Sequence, residues 1–120
     1  MVDKINLAQK FEMFNEFWTP KILGEVNNSY VKIFKAKGEF VWYSHDREDE
    51  FFLVLKGQLV IKMRGSEVIF NVGVCFVVPK GKEHMPSAME ETHVLIFEPK
   101  EVVNTGDNAG EKTVKNPKWI

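Results

Sequence analysis

Residues 38–57 read GEFVWYSHDREDEFFLVLKG, two apolar runs joined by a charged loop and bounded by glycine. Side chains two residues apart in a strand share one face of a sheet. Tyr43 and His45 therefore point the same way in the first run, and Glu50, Phe52 and Val54 do so in the second. The spacing predicts a pair of strands that directs both aromatic and ionisable groups to one side.

Short apolar runs of the same kind lie on either side of this stretch. The predicted strands cover residues 31–34, 40–45, 51–55, 59–63, 67–70, 74–78 and 94–98. Four of the joints contain glycine, at Gly57, Gly65, Gly73 and Gly81, and glycine accepts the positive φ that tight turns often require. No helical pattern interrupts the runs, so an antiparallel all-β fold is predicted and a parallel βαβ arrangement is disfavoured.

A short helix is predicted before the strands. Apolar residues recur there at steps of four, three and four, which places them on one helix face that Pro20 would end: Leu7, Phe11, Phe14 and Trp18. After Pro99 the composition turns polar and predicts an extended tail. The expected organisation is one domain over residues 1–120, with a helical segment at 1–22, a β-barrel at 28–98 and a C-terminal tail at 99–120.

Composition restricts the function classes. The chain has 120 residues, 44% of them apolar and 28% charged, which is typical of one globular domain. Sixteen basic and seventeen acidic residues leave no basic stripe for nucleic acid. The longest uncharged apolar run, residues 72–79, is far shorter than the roughly 20 residues that cross a bilayer. With no signal-peptide pattern and a single cysteine, Cys75, a cytoplasmic protein is expected.

A second motif, GVCFVVPKGKEH at residues 73–84, completes a resemblance. Together with His45, Glu50 and Gly57 it resembles the cupin family, small jelly-roll barrels with a first motif of G, HxH, E and G and a second of G, PxG and H. The resemblance covers residues 38–84 and implies a single-domain cupin jelly-roll barrel. The predicted helix, the GEFVW strand and the VNTGD tail are similar to bacterial cupins often labelled mannose-6-phosphate isomerase-like.

The resemblance implies a metal centre with one departure. His45, Glu50 and His84 match three of the four ligand positions of the family, whereas Tyr43 stands where the first histidine of HxH is usual. Two imidazoles and a carboxylate suit Fe(II), Mn(II), Ni(II) or Zn(II). Tyr43 is the candidate catalytic residue, as a proton donor or orienting group, although it could also ligate weakly or fill space.

Several readings of this site stay open. The leading hypothesis is a cupin that holds a divalent metal and acts on or binds a small polar metabolite. Its reaction would resemble that of a sugar isomerase or of an oxygenase. The alternative is a non-catalytic ligand-binding cupin that has lost its metal through Tyr43, or a barrel kept only for dimerisation. The residues expected to line the pocket are Phe52, Met63, Phe76 and Met85.

Assembly is predicted from the apolar character of both strand faces. Phe51, Leu53 and Leu55 oppose the inward-facing set of their strand and are equally apolar. The outer face must therefore be covered by the helix and tail or by a second subunit. A homodimer is expected.

Overall fold

The computed structural model describes residues 3–120 and contains one short helix and eight strands. Their bounds are α1 Leu7–Phe11, β1 Lys21–Val26, β2 Ser29–Glu39, β3 Glu50–Lys56, β4 Gln58–Met63, β5 Ser66–Asn71, β6 Cys75–Val78, β7 Met85–Pro99 and β8 Lys118–Trp119. The strand order is β5-β4-β7-β2-β1-β8, with β3 pairing with both β6 and β7. The protein is mostly β, as predicted.

The long strand β7 organises the sheet. It pairs antiparallel with β2, β3 and β4, so three strands are hydrogen-bonded to this one strand. The short β8 pairs parallel with β1, and every other strand pair is antiparallel over residues 3–120. Backbone hydrogen bonds do not close the strands into a ring over this range.

Four predicted strands agree with the structure to within one residue at either end, namely those at 51–55, 59–63, 67–70 and 74–78. Two others are longer than predicted, because β2 and β7 extend well beyond 31–34 and 94–98. The prediction of a regular strand at 40–45 is wrong. There, only Tyr43 forms an isolated bridge, to His84. Strands β1 and β8 have no counterpart among the predicted strands.

The predicted helix is shorter than its apolar spacing indicated. It ends at Phe11, and Trp18 has a φ of 58°, which a continuing right-handed helix does not allow. The indole N–H of Trp18 donates to the carbonyl of Lys37 at 2.9 Å, and its backbone N–H donates to that of Lys35 at 2.7 Å. Pairing with β2 therefore replaces helix after Phe11.

Two apolar clusters pack on the two faces of the sheet, one on the inner face and one on the outer face. The inner cluster includes Phe52, Val54 and Ile96, and Trp18 from the N-terminal segment joins it. The outer cluster contains Phe11, Phe14, Leu23 and Ile33, with Ile120 packed against it. The N-terminal segment around Phe11 and Phe14 and the C-terminal Ile120 therefore cover part of the outer face, which the apolar strand faces predicted.

Residues 102–108, named here the cover segment, pack on one end of the barrel. Val102, Asn104 and Thr105 are buried in it. Asp107 makes two hydrogen bonds with Ser44. Its backbone N–H donates to the Ser44 carbonyl at 3.1 Å, and its Oδ1 accepts a hydrogen bond from the Ser44 N–H at 2.9 Å. The cover segment thereby fixes the stretch between Tyr43 and His45. Over residues 3–120, no helix has the length and apolar character needed to span a membrane.

Candidate metal centre

Glu50 is the residue around which the site is built. It begins β3, pairs with Val78, and directs its side chain into the barrel, where the residue is 3% exposed. Phe52 and Val54 follow on the same face and are buried. The pleat of β3 therefore holds the Glu50 carboxylate inside the protein.

Tyr43 and His84 are joined by a short backbone pairing outside the strands. The Tyr43 N–H donates to the His84 carbonyl at 2.9 Å, and the His84 N–H donates to the Tyr43 carbonyl at 3.0 Å. The N–H of Gly81 donates to the carbonyl of His45 at 2.7 Å. The Pro-Gly turn of the second motif thus connects directly to the first motif.

Three side chains converge on the Glu50 carboxylate. Nε2 of His84 lies 3.2 Å from Oε1, and Nε2 of His45 lies 3.4 Å from Oε2. The Tyr43 hydroxyl donates to the same carboxylate, at 3.0 Å from Oε1 and 3.2 Å from Oε2. All four residues are buried. The structure therefore brings Tyr43 and the three predicted ligand residues together inside the barrel.

The contact between Nδ1 of His84 and the Lys82 carbonyl determines which nitrogen of the ring carries the proton. Nδ1 lies 2.8 Å from the carbonyl oxygen of Lys82, and a carbonyl oxygen only accepts, so Nδ1 carries a proton. In a neutral ring, the lone pair of Nε2 would then face the carboxylate of Glu50. A positive charge between the two atoms, a proton or a bound cation, makes this contact attractive.

His45 and Glu98 each contain a buried atom without a hydrogen bond. These atoms are Nε2 of His45 and Oε2 of Glu98, counted over residues 3–120. His45, Glu50 and Glu98 offer ligand atoms that all lie within 4.8 Å of one another, whereas His84 meets the site through Glu50. An unsatisfied buried polar atom costs about 1–3 kcal/mol, so the donor set fits a cation.

Glu98 is the site residue that the sequence motifs do not reveal. It shares the inner face of β7 with Val94 and Ile96, and this alternation was the available signal. Its Oε1 accepts a hydrogen bond from Nζ of Lys32 at 3.1 Å, and both residues are 2% exposed. A buried Lys–Glu pair therefore lies beside the two histidines and Glu50.

Burial and mutual charge determine the protonation of the site. Burial raises the pKa of Tyr43 well above its usual range, and the Glu50 carboxylate adds to the rise, so the phenol is neutral. Burial opposes ionisation of Glu50, but His45 and His84 outweigh it and lower its pKa to about 2. Burial would lower the pKa of His45, yet the Glu50 carboxylate raises it. Burial and repulsion from Glu50 raise the pKa of Glu98 to about 7, against the effect of Lys32.

These shifts predict that the metal-free protein is less stable at pH 8 than at pH 5.5. Glu98 has a folded pKa raised from 4.5 to about 7, so its contribution is present below pH 4.5 and is lost as the pH rises through 7. His45, raised above 6.5, acts in the same direction. Between pH 5.5 and pH 8 the loss from Glu98 is on the order of 2 kcal/mol.

Urea unfolding of chelator-treated protein at the two pH values tests this prediction. The urea midpoint should fall at pH 8 with an unchanged slope. An equal or higher midpoint at pH 8 would contradict it. Below pH 4 the sign reverses, because Glu50 is stabilising when ionised and loses that contribution as it becomes protonated toward pH 2.

The enclosed space beside Glu50 is small. A cavity of about 20 Å³ is lined by Tyr43, Glu50 and Phe52 together with apolar side chains of the inner cluster. This volume suits about one water molecule. Of the predicted pocket residues, Phe52 lines this cavity, whereas Met63, Phe76 and Met85 do not. This cavity alone is too small for a metabolite, and the expectation of a metabolite inside the barrel stays a prediction.

A wider cleft lies at the barrel mouth, between the loop after Tyr43 and the cover segment. Its volume is about 270 Å³. It is lined by Ser44, His45, Asp46, Arg47, Glu48, Glu101, Val102, Val103, Gly106 and Asp107. His45 belongs both to this cleft and to the group around Glu50. The histidine therefore connects the buried centre to the outside.

Fold and site together define a small jelly-roll protein with a buried histidine–carboxylate centre. The model of the cupin domain family matches residues 30–99, and the chain belongs to that family. The predicted cupin fold is thereby confirmed.

Relatives agree with this assignment. The chain is 31% identical over 80 residues to the uncharacterized protein YdbB of Bacillus subtilis (strain 168), covering 66% of this chain and 71% of that one. The crystal structure of a cupin-2 domain containing protein from Shewanella frigidimarina has a TM-score of 0.79 at 42% identity, over 80% of this chain and 94% of that chain. Protein NMB1881 from Neisseria meningitidis has a TM-score of 0.74 at 23% identity, over 82% and 100% of the two chains.

Proposed function

We propose that this cupin holds one divalent transition metal ion inside the barrel and binds or transforms a small polar metabolite at the barrel mouth. His45, Glu50 and His84 would hold the ion, and Fe(II), Mn(II), Ni(II) or Zn(II) suit such donors. When bound, the ion would supply Lewis acidity toward a carbonyl or hydroxyl oxygen, or a site for dioxygen.

One observation supports the metal more than any other. With the proton of a neutral His84 ring on Nδ1, the lone pair of Nε2 would face Glu50, and the buried Nε2 of His45 has no hydrogen bond to residues 3–120. The two imidazoles therefore approach the two oxygens of the Glu50 carboxylate, His84 at 3.2 Å and His45 at 3.4 Å, where a positive charge is needed. A metal ion supplies that charge and satisfies the nitrogen of His45.

The chain's own groups would divide the work at this centre. The neutral phenol of Tyr43 donates to Glu50 and keeps that carboxylate oriented, and it is the group placed to give a proton. The carbonyl of Lys82 fixes the orientation of the His84 ring. His45, at the border of the mouth cleft, would face both the ion and the metabolite.

The mouth cleft supports a metabolite of modest size. Its volume of about 270 Å³ lies near the lower end of typical small-molecule sites. Its lining contains both carboxylates and the guanidinium of Arg47, which suits a polar molecule. A sugar isomerase-like reaction is one such chemistry, suggested by the label on similar cupins and therefore by analogy of fold.

The competing proposal is a cupin that binds a small ligand without metal and without turnover. The Tyr43 hydroxyl supports this competing proposal. It donates a hydrogen bond to the Glu50 carboxylate and lies where a fourth metal ligand would otherwise lie. In that case His84 carries the second proton itself and forms an ion pair with Glu50. Metal content separates the two proposals.

Elemental analysis of protein purified without an affinity tag, before and after anaerobic reconstitution, is the test. The metal proposal predicts close to one equivalent of a transition metal. Less than about a tenth of an equivalent after reconstitution would reject it in favour of the metal-free binder. A Tyr43→Phe variant should keep the ion, and a metabolite screen comparing it with the unaltered protein would show whether the hydroxyl takes part in turnover.

We also propose that the protein forms a homodimer through the outer face of β3, β6 and β7. Phe51 pairs in register with Val77 on one side and with Phe97 on the other, and the latter two are 56% and 36% exposed. Contiguous exposed apolar groups of this kind favour association. Light scattering should give about twice the 13.9 kDa of one chain; a mass equal to one chain would contradict the dimer.

A further inference from the structure

We propose that Glu98 replaces the histidine that Tyr43 displaces, and ligates the metal ion through Oε2. This inference rests on the proposed function, because it assumes that the barrel holds a metal ion. It assigns a ligand that lies outside both sequence motifs. It also predicts a centre with two carboxylates, which changes the preference among metals.

The position of Glu98 supports this assignment. Its carboxylate lies with His45 and Glu50 in a group whose ligand atoms are all within 4.8 Å of one another. His45 and Glu50 both belong to the first motif, just before β3 and at its start, whereas Glu98 lies near the end of β7. The approach of Glu98 to the other two residues therefore arises from the fold and not from local sequence.

The two oxygens of Glu98 have different surroundings. Oε1 accepts a hydrogen bond from Nζ of Lys32 at 3.1 Å, whereas Oε2 is buried without a partner among the described residues 3–120. The ion pair with Lys32 accounts for the burial of Oε1, but it gives no partner to the buried Oε2. The other unpartnered buried atom in this part of the chain is Nε2 of His45, which belongs to the same group. One cation would satisfy both atoms.

The buried position of Lys32 fixes which oxygen is available. Lys32 is 2% exposed, on the inner face of β2 with Phe34 and Ala36. Because its ammonium group occupies Oε1, Glu98 can offer one oxygen to the ion. Two carboxylates close together in a buried site repel each other, and a divalent cation between them removes that repulsion.

The second carboxylate has a consequence for metal choice. Mn(II) prefers oxygen donors and six ligands. Zn(II) usually has four ligands, more of which are nitrogen atoms. Zn(II) can be held by His45, Glu50, His84 and a water without Glu98. The structure therefore predicts that loss of Glu98 weakens Mn(II) binding more than Zn(II) binding.

The test is anaerobic calorimetric titration of the full chain with Mn(II) and, separately, with Zn(II). Glu98→Gln should weaken Mn(II) binding by about 100-fold or more, because even the groups that orient metal ligands contribute about 10–100-fold, and Zn(II) binding by only about tenfold. The matched control is Glu91→Gln. Glu91 lies on the same strand and pairs with Lys35 of β2 at 3.9 Å, but it contacts His93 and not the centre.

A second variant guards against misfolding, since Glu98→Gln leaves a buried lysine without its charge partner. Lys32→Met/Glu98→Leu removes both charges at similar volume and should fold, with the same loss of Mn(II). Mn(II) binding within about threefold of the unaltered protein in either folded variant would overturn the assignment. If His45→Ala abolishes binding in that case, the proposed function stands and the role of Glu98 alone fails; an unaltered protein that binds neither metal overturns both.

Discussion

His45→Ala is expected to reduce bound transition metal from about one equivalent to less than about a tenth, while the chain keeps its fold. The imidazole Nε2 lies 3.4 Å from Glu50 but makes no hydrogen bond within residues 3–120, so it is free to bind the ion, and alanine offers no ligand in its place. Glu50 still accepts from Tyr43 and contacts His84 in the variant. The stability change should therefore remain within about 1–3 kcal/mol.

The matched control is His93→Ala, which removes a histidine outside the centre. Nε2 of His93 lies 2.7 Å from Glu91, and its ring stacks on Phe11 at 4.2 Å between centroids. This variant should lose some stability and keep all its metal. Elemental analysis and circular dichroism on both variants provide the comparison. Full metal occupancy in His45→Ala would mean that the ligands are wrongly assigned.

Gly106→Ala is expected to destabilise the protein by about 3 kcal/mol, near the upper end of ordinary single substitutions. Gly106 has a φ of +53°, which side chains other than glycine rarely adopt. A Cβ there would lie 2.3 Å from the Ser44 carbonyl oxygen and 3.0 Å from Cδ2 of Tyr43. The cover segment would have to move off the barrel, which breaks the paired bonds between Asp107 and Ser44.

Gly110→Ala is the matched control, because a Cβ at Gly110 meets no atom within 4 Å and its φ is not positive. Urea unfolding of both variants measures the difference, and increased protease cleavage within residues 102–108 of Gly106→Ala would locate it. A midpoint for Gly106→Ala equal to that of Gly110→Ala would show that the cover segment does not stabilise the barrel.

Much of the barrel was predictable because alternation and turn residues agree in its middle. The strands from β3 to β6 are short, bounded by glycine, and in phase with their neighbours. The N-terminal half was less predictable. A helical spacing at Phe11, Phe14 and Trp18 is equally satisfied by an irregular segment that lays each ring on the sheet, and the tertiary contacts decided between them.

The site was predictable only where the motifs describe it. Tyr43, His45, Glu50 and His84 carry enough spacing information to suggest one common face. Glu98 does not, because an acid near the end of a strand is ordinarily solvated. Its neutralisation comes from Lys32, 66 residues earlier in the chain, and such a pairing follows from the strand order alone.

The bonds between Ser44 and Asp107 also constrain when the centre can mature during synthesis. Ser44 leaves the ribosome long before its partner, with 63 residues separating the two in the sequence. The stretch flanked by Tyr43 and His45 therefore spends the intervening period without its final support. The proposed metal ion should accordingly be loaded late, and a stalled polypeptide released before residue 107 would lack the Ser44–Asp107 bonds beside the centre.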